Sequence, residues 1–395
     1  MLSMLPPGLS SLLQPFQQRR IHCGVLLWAG ALTLAILAAP SHGKALNTGL
    51  TRLETSANGS QFIWTIQDTY AGESFFDGFT FYTGPDPTHG TVNYTDNVTA
   101  FDTGLAFVNP DGTVVMKGDN TTTLQSGVNR NSVRISSNTE YNTGLFILDL
   151  NRAPWGCGVW PAWWTLGSGT WPFQGEIDII EGVHDNEHNQ VTWHTSPNCS
   201  LTPTANMTGS IVEGGNGQLN LDCDGTIAGN AGCGVTEWSR ASYGPTFDAA
   251  GGGVFAMKWD DTGIAVWSFY RSAVPNDIQI GQPAPSTWNE PVAILEPAGC
   301  NPITNFINHS IIFDITFCGD WAGNSYATSG CPGTCPDRLM DPANFVNASW
   351  SINSLKVYKR QTILAQANDA TSLVQGAARF LPYTLPVLLL AAMWL

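Results

Sequence analysis

The chain has 395 residues, with 16 Lys and Arg against 31 Asp and Glu, a formal charge of −15 and a pI near 4.6. That balance excludes the clustered basic surface that nucleic acids and anionic membranes require, while a neutral polysaccharide is indifferent to it. Only 12% of residues are charged and Gly numbers 41, which describes a loop-rich β protein rather than a helical one.

The first predicted element is a leader. Arg19 and Arg20 precede an apolar run from Gly24 to Ala39, which exits through Pro40, Ser41, His42 and Gly43. This order predicts a secretory signal peptide over residues 1–43. Residues 44–360 are long enough for one large sandwich. Short β-rich runs follow at Phe62–Ile66, Val114–Lys117, Val133–Ile135 and Leu145–Leu150, with turn residues between them.

Next comes a tryptophan-rich stretch, with Trp155, Trp160, Trp163, Trp164 and Trp171. Indole faces suit the C–H faces of sugar rings. Directly after it stands Gly175-Glu-Ile-Asp-Ile-Ile-Glu-Gly182, which puts Glu176, Asp178 and Glu181 inside an otherwise buried-looking strand. Burying that charge is costly unless it has a task. Strand parity turns Glu176 and Asp178 to one face and Glu181 to the other. One bulge, most simply at Ile179-Ile180, returns Glu181 to the same face. The outer pair would then lie roughly 5–6 Å apart, as a retaining glycosidase requires. The central carboxylate and the apolar enclosure would raise the proton affinity of the outer two.

Further strands are read at Val191–His194, Val254–Trp259, Ile264–Tyr270 and Leu355–Tyr358, and Gly209–Gly234 reads as one long loop. At the end, Asn368-Asp-Ala370, a spacer from Thr371 to Arg379 and the apolar run Phe380–Leu395 have the order of a glycosylphosphatidylinositol attachment signal. Residues 361–395 are thus read as spacer and hydrophobic tail, with Asn368 the lipidation site.

Without the leader, eight cysteines remain, an even number that predicts disulfides of open connectivity in a secreted chain. Cys331-Pro-Gly-Thr-Cys335 lacks a companion His/Cys cluster and reads as a disulfide-pinned loop. Sequons at Asn58, Asn93, Asn97, Asn120, Asn206, Asn308 and Asn347 predict glycosylation, and an eighth, at Asn198, carries Cys199 in its middle. No phosphate-cradling loop or zinc-hydrolase helix motif is present, and no cofactor is expected.

Several motifs together resemble glycoside hydrolase family 16, in its fungal laminarinase-like branch. They are Trp160-Pro-Ala-Trp-Trp164, the acidic strand, Thr192-Trp-His-Thr-Ser196, Phe75-Phe-Asp-Gly-Phe79, Asp86-Pro-Thr-His-Gly90, Ser132-Val-Arg-Ile135 and Phe317-Cys-Gly-Asp-Trp-Ala-Gly323. The resemblance implies an all-β jelly-roll sandwich of two antiparallel sheets with a concave glucan-binding cleft. It implies retaining endo-hydrolysis of β-1,3 or mixed β-1,3/1,4 glucans, with Glu176 as nucleophile, Glu181 as acid/base and Asp178 between them. Trp160, Trp164, Trp171, His194, Asp320 and Trp321 are the expected substrate-binding residues. Trp164 and Trp193 depart from the family pattern and are expected to alter subsite shape.

A monomer at the cell surface or outside it is expected, touching membrane only through its C-terminal anchor. Two other readings stay open: a wall-remodelling transglycosylase and a non-catalytic glucan receptor. Retention of both Glu176 and Glu181 weighs against the receptor.

Overall fold

Apolar runs too short for helices, bounded by Gly, Asn and Pro, become strands here. The computed structural model describes residues 52–363 apart from residues 57 and 228, and is built almost wholly from such strands. The signal-peptide and attachment-signal expectations, Asn368 included, lie outside the described residues. The principal strands are β1 (Gln61–Tyr70), β2 (Arg134–Tyr141), β3 (Gly144–Arg152), β4 (Val159–Gly167), β5 (Glu176–Glu181) and β6 (Gln190–His194). They continue with β7 (Cys233–Thr236), β8 (Gly253–Asp260), β9 (Gly263–Tyr270), β10 (His309–Phe317) and β11 (Ser349–Thr362). Among the described residues no helix exceeds seven residues, and none is long and apolar enough to cross a membrane.

Two antiparallel sheets result. The first runs Ser210–Ile211, β7, β6, β5, β4, β10, β2, Phe79–Phe81. The second runs Glu54–Thr55, β1, β11, β3, β8, β9, Ala293–Leu295, and short strand Val114–Lys117 also pairs with β11. Spatial neighbours are mostly distant in sequence, and this is the jelly-roll sandwich that the resemblance implies.

The core lies between the sheets, where Trp163, Ile177, Trp193, Phe255, Phe313 and Trp350 are closed to solvent. β3 is covered on both faces. Phe146, Leu148 and Leu150 enter the main core, while Leu145 and Ile147 join Phe62, Trp64, Val254 and Tyr358 in a second cluster. That is why Leu145–Leu150 reads as a nearly continuous apolar run instead of an alternating one.

The eight cysteines pair as Cys157–Cys331, Cys199–Cys300, Cys223–Cys233 and Cys318–Cys335. The 331–335 loop is thus pinned by two bridges to partners elsewhere, not by one between its own ends. The Gly209–Gly234 stretch is not all loop, because Ser210–Ile211 pairs with β7. Asn58, Asn93, Asn97, Asn198 and Asn206 are exposed, whereas Asn120, Asn308 and Asn347 are half-buried.

Candidate active site

Register fixes the acidic strand. Ala162 of β4 lies opposite Glu181, Trp163 opposite Ile180, Trp164 opposite Asp178 and Leu166 opposite Glu176. Ile179 is therefore the additional residue of a bulge, within the Ile179-Ile180 pair expected from the sequence. Glu176, Asp178 and Glu181 share a face with Trp160, Ala162, Trp164 and Leu166, while Ile177, Ile179 and Ile180 join the core.

A bulge leaves backbone groups without ladder partners, and buried ones must be satisfied. Asn189 does this with one side chain. Its Nδ2 donates to Ile179 O at 2.9 Å, and its Oδ1 accepts from Glu181 N at 2.9 Å. Asn189 is fully buried, and its own backbone N–H donates to Ser242 Oγ at 2.9 Å.

Each outer carboxylate accepts one indole hydrogen bond. Trp171 Nε1 donates to Glu176 Oε2 at 2.9 Å, and Trp160 Nε1 donates to Glu181 Oε1 at 2.9 Å. His194, opposite Glu176 on β6, holds Nε2 3.4 Å from Asp178 Oδ2 and 3.8 Å from Glu176 Oε1. Its ring lies 5.9 Å from that of Trp171. Burial, then the charge of Asp178, pushes Glu176 up to about 7. The same two causes, in the same order, raise Glu181 well above the carboxylate range, against the opposing pull of the Trp160 hydrogen bond. Burial and then Asp314 raise Asp178. Proton affinity is thus elevated along the whole row.

Of the other expected residues, Trp160 and Trp171 stand at the carboxylates. Trp164 lies in the floor, only 8% exposed, with Nε1 donating to Asp314 Oδ2 at 3.3 Å. Asp320 and Trp321 sit on the turn Gly319–Gly323, where Trp321 packs edge-on against Trp160 at 5.8 Å. Asp320 Oδ2 meets His89 Nδ1 at 2.8 Å. The expectation for Trp193 is corrected: it is closed to solvent in the inter-sheet core, because it neighbours His194 and strand parity turns it away.

Three residues escaped the sequence reading. Asp314 of β10 lies two strands from Asp178 and is itself pushed up to about 7 by burial, against the pull of Arg134. Arg134 lies 3.9 Å from Asp314 and stacks over the rings of Tyr82 and Trp164. Asp314 carries the same signal as the acidic motif, a carboxylate inside the apolar run Ile311–Phe317. Asn189 carries no such signal. Ligand atoms of Glu176, Asp178 and His194 lie within 4.8 Å of one another, the one such group among the described residues that could bracket a cation.

Comparison with known proteins adds to this geometry. The family model for XgeA-like catalytic domains of glycoside hydrolase family 16 matches residues 79–358. A probable glycosidase of Schizosaccharomyces pombe is 45% identical over 299 residues, covering 75% of this chain and 69% of that protein. A probable endo-1,3(4)-β-glucanase of Aspergillus niger is 38% identical over 365 residues, 89% of this chain but 45% of that longer protein. The chain thus spans about half the length of that Aspergillus relative. Among solved structures, laminarinase 16A from Phanerochaete chrysosporium, holding 6-O-glucosyl-laminaritriose in donor and acceptor sites, is 42% identical with a TM-score of 0.71. The match covers 75% of this chain and 99% of that one. An elongating family 16 β-1,3-glucosyltransferase is 38% identical with a TM-score of 0.68, over 75% of this chain and all of that one.

Proposed function

The chain belongs to glycoside hydrolase family 16, and from that premise we propose that it is an endo-1,3(4)-β-glucanase working by double displacement with retention. The observation that carries the reading is the bulged strand that brings Glu176, Asp178 and Glu181 to one face, with an indole donor on each outer carboxylate. In the first step Glu176 attacks the anomeric carbon while Glu181 gives its proton to the departing glycosidic oxygen. In the second, Glu181 takes a proton from water, which displaces Glu176 from the sugar. The Trp171 hydrogen bond and His194 favour the ionised form of Glu176 that attack requires. Burial and Asp178 keep the proton on Glu181 for donation. Trp160, Trp171 and Trp321 offer apolar surface to the sugar rings, and Asp320 offers a hydroxyl acceptor at the rim.

Transfer to a sugar acceptor is the second reading, favoured by the similarity to an elongating glucosyltransferase over that chain's full length. Both share the glycosyl-enzyme and differ only in what resolves it. Four disulfides and five exposed sequons support delivery through an oxidising, glycosylating compartment to the cell surface.

Incubation with laminarin, barley β-glucan and lichenan, resolving products by length, tests this directly. Shorter oligosaccharides alone mark hydrolysis, products longer than the donor mark transfer, and binding without turnover rejects both. Glu176→Gln should abolish turnover while glucan binding survives. Glu181→Ala should lose roughly 10²–10⁴-fold on ordinary glucans and recover with azide on activated substrates. Absence of rescue removes Glu181 from the acid/base role.

A further inference from the structure

A cavity of about 430 Å³ opens where β9 meets the segment that follows β7, and no residue of β5 lines it. Two large rings on it face solvent: Trp238 is 65% exposed and Tyr270 43%. Behind them Trp288 packs edge-on against Trp267 at 5.2 Å and Phe269 at 5.4 Å. The indole N–H of Trp288 donates to Asp277 and that of Trp267 to Asn289 O, so the rings behind the opening are held in place.

The polar lining defines what fits. Asp277 is already engaged by Ile278 N, Ala284 N and Trp288 Nε1. Glu290 accepts from Asn206 Nδ2 at 3.0 Å. Glu237 is 3% exposed; it accepts from Ser268, and its Oε2 has no partner among the described residues. Arg52 is the one cation in the lining. Three carboxylates, each already accepting a hydrogen bond, therefore stand against one guanidinium, so the lining disfavours anions, offers more hydrogen-bond acceptors than donors and leaves aromatic faces open. A neutral ligand with apolar faces and many hydroxyl donors matches this chemistry.

We propose that this cavity is a second carbohydrate site, which holds a β-glucan chain against Trp238 and Tyr270 with Asn276 and Asn289 accepting its hydroxyls. The glucan identity of the ligand rests on the glucanase reading, and the site itself does not. Holding the polymer at two places raises its local concentration at the cleft.

The test uses the full-length Glu176→Gln chain from a glycosylating host, titrated calorimetrically with laminarihexaose. Two binding events per chain are expected. Trp238→Ala should leave one, and Trp238→Phe, which keeps a ring face, should retain both. In the active background, Trp238→Ala should keep kcat/KM on a short chromogenic laminari-oligosaccharide within about twofold while losing roughly tenfold on insoluble β-1,3-glucan. A single event in the parent that survives Trp238→Ala, or equal losses on both substrates, overturns the proposal; a single event that Trp238→Ala abolishes keeps the site and counts against the cleft. The sequon of Asn206 includes Thr208, which lines the cavity. A second event that appears only after Asn206→Gln would assign the cavity to the chain's own glycan and overturn it too. Two binding events without turnover in the wild-type chain would reject the glucanase reading and leave the site standing.

Discussion

At the scale of single residues, the acidic row is linked electrostatically through Asp178. Asp178 raises both of its neighbours, after burial itself. Removing its charge should therefore lower both, so that Asp178→Asn moves both limbs of the kcat/KM pH profile toward acid; an unmoved profile means Asp178 carries no charge in the working range. The limbs belong to the coupled row rather than to one residue each. Chelation by EDTA should leave turnover unchanged, and a loss restored by a divalent cation would reassign Glu176, Asp178 and His194 as ligands. Residues were legible in the sequence where chemistry clashed with setting. Three carboxylates inside an isoleucine strand have that clash, and so does Asp314 in Ile311–Phe317. Trp193 could have been set aside by parity with His194. Asn189, polar among polar neighbours, could not be found at all, since its task exists only once the bulge frees two backbone groups.

At the scale of elements, the bulged β5 depends on the amide of Asn189. Asn189→Ala orphans Ile179 O and Glu181 N, at about 1–3 kcal/mol for each buried group. The variant should unfold at lower denaturant and lose at least tenfold in kcat with KM little changed, as displacement of a reacting group predicts. Wild-type kcat in a destabilised variant would make Asn189 purely structural. Strand positions were readable from apolar runs between turn residues, and so was the bulge, because three carboxylates of this spacing can share one face only with an extra residue between them. The pairing of strands and cysteines was not. Both are set by which distant segments meet, as when Cys157 and Cys331, 174 residues apart, join one bridge.

At the scale of the whole molecule, buried carboxylates govern stability against pH. Glu237 and Asp314 are both pushed up to about 7 by burial. Below about pH 4 the folded and unfolded chains both hold these protons and the contribution is fullest. Between there and pH 7 the folded chain binds more protons, so stability falls as pH rises. His309, buried and lowered to about 4, acts oppositely: its contribution is present above pH 6.5 and is lost as pH falls through 4. Above pH 6.5 His309 no longer opposes the carboxylates, and Tm should be higher at pH 6.5 than at pH 8. Glu237→Gln should flatten that slope, by on the order of 3 kcal/mol across the full range; a Tm that rises with pH instead would mean that Glu237 and Asp314 ionise freely in the fold. The position of β11 has a different consequence. The last strand of the sandwich lies between β1 and β3, in the interior of its sheet rather than at a border. That sheet cannot close until Ser349–Thr362 has been made, which makes this a fold of distant contacts that forms slowly. Until that strand is made the unfinished chain carries exposed strand edges and needs protection from self-association. A nick or a stop before Ser349 splits the second sheet along its middle, so a shortened product is expected to be an aggregate rather than a weaker enzyme.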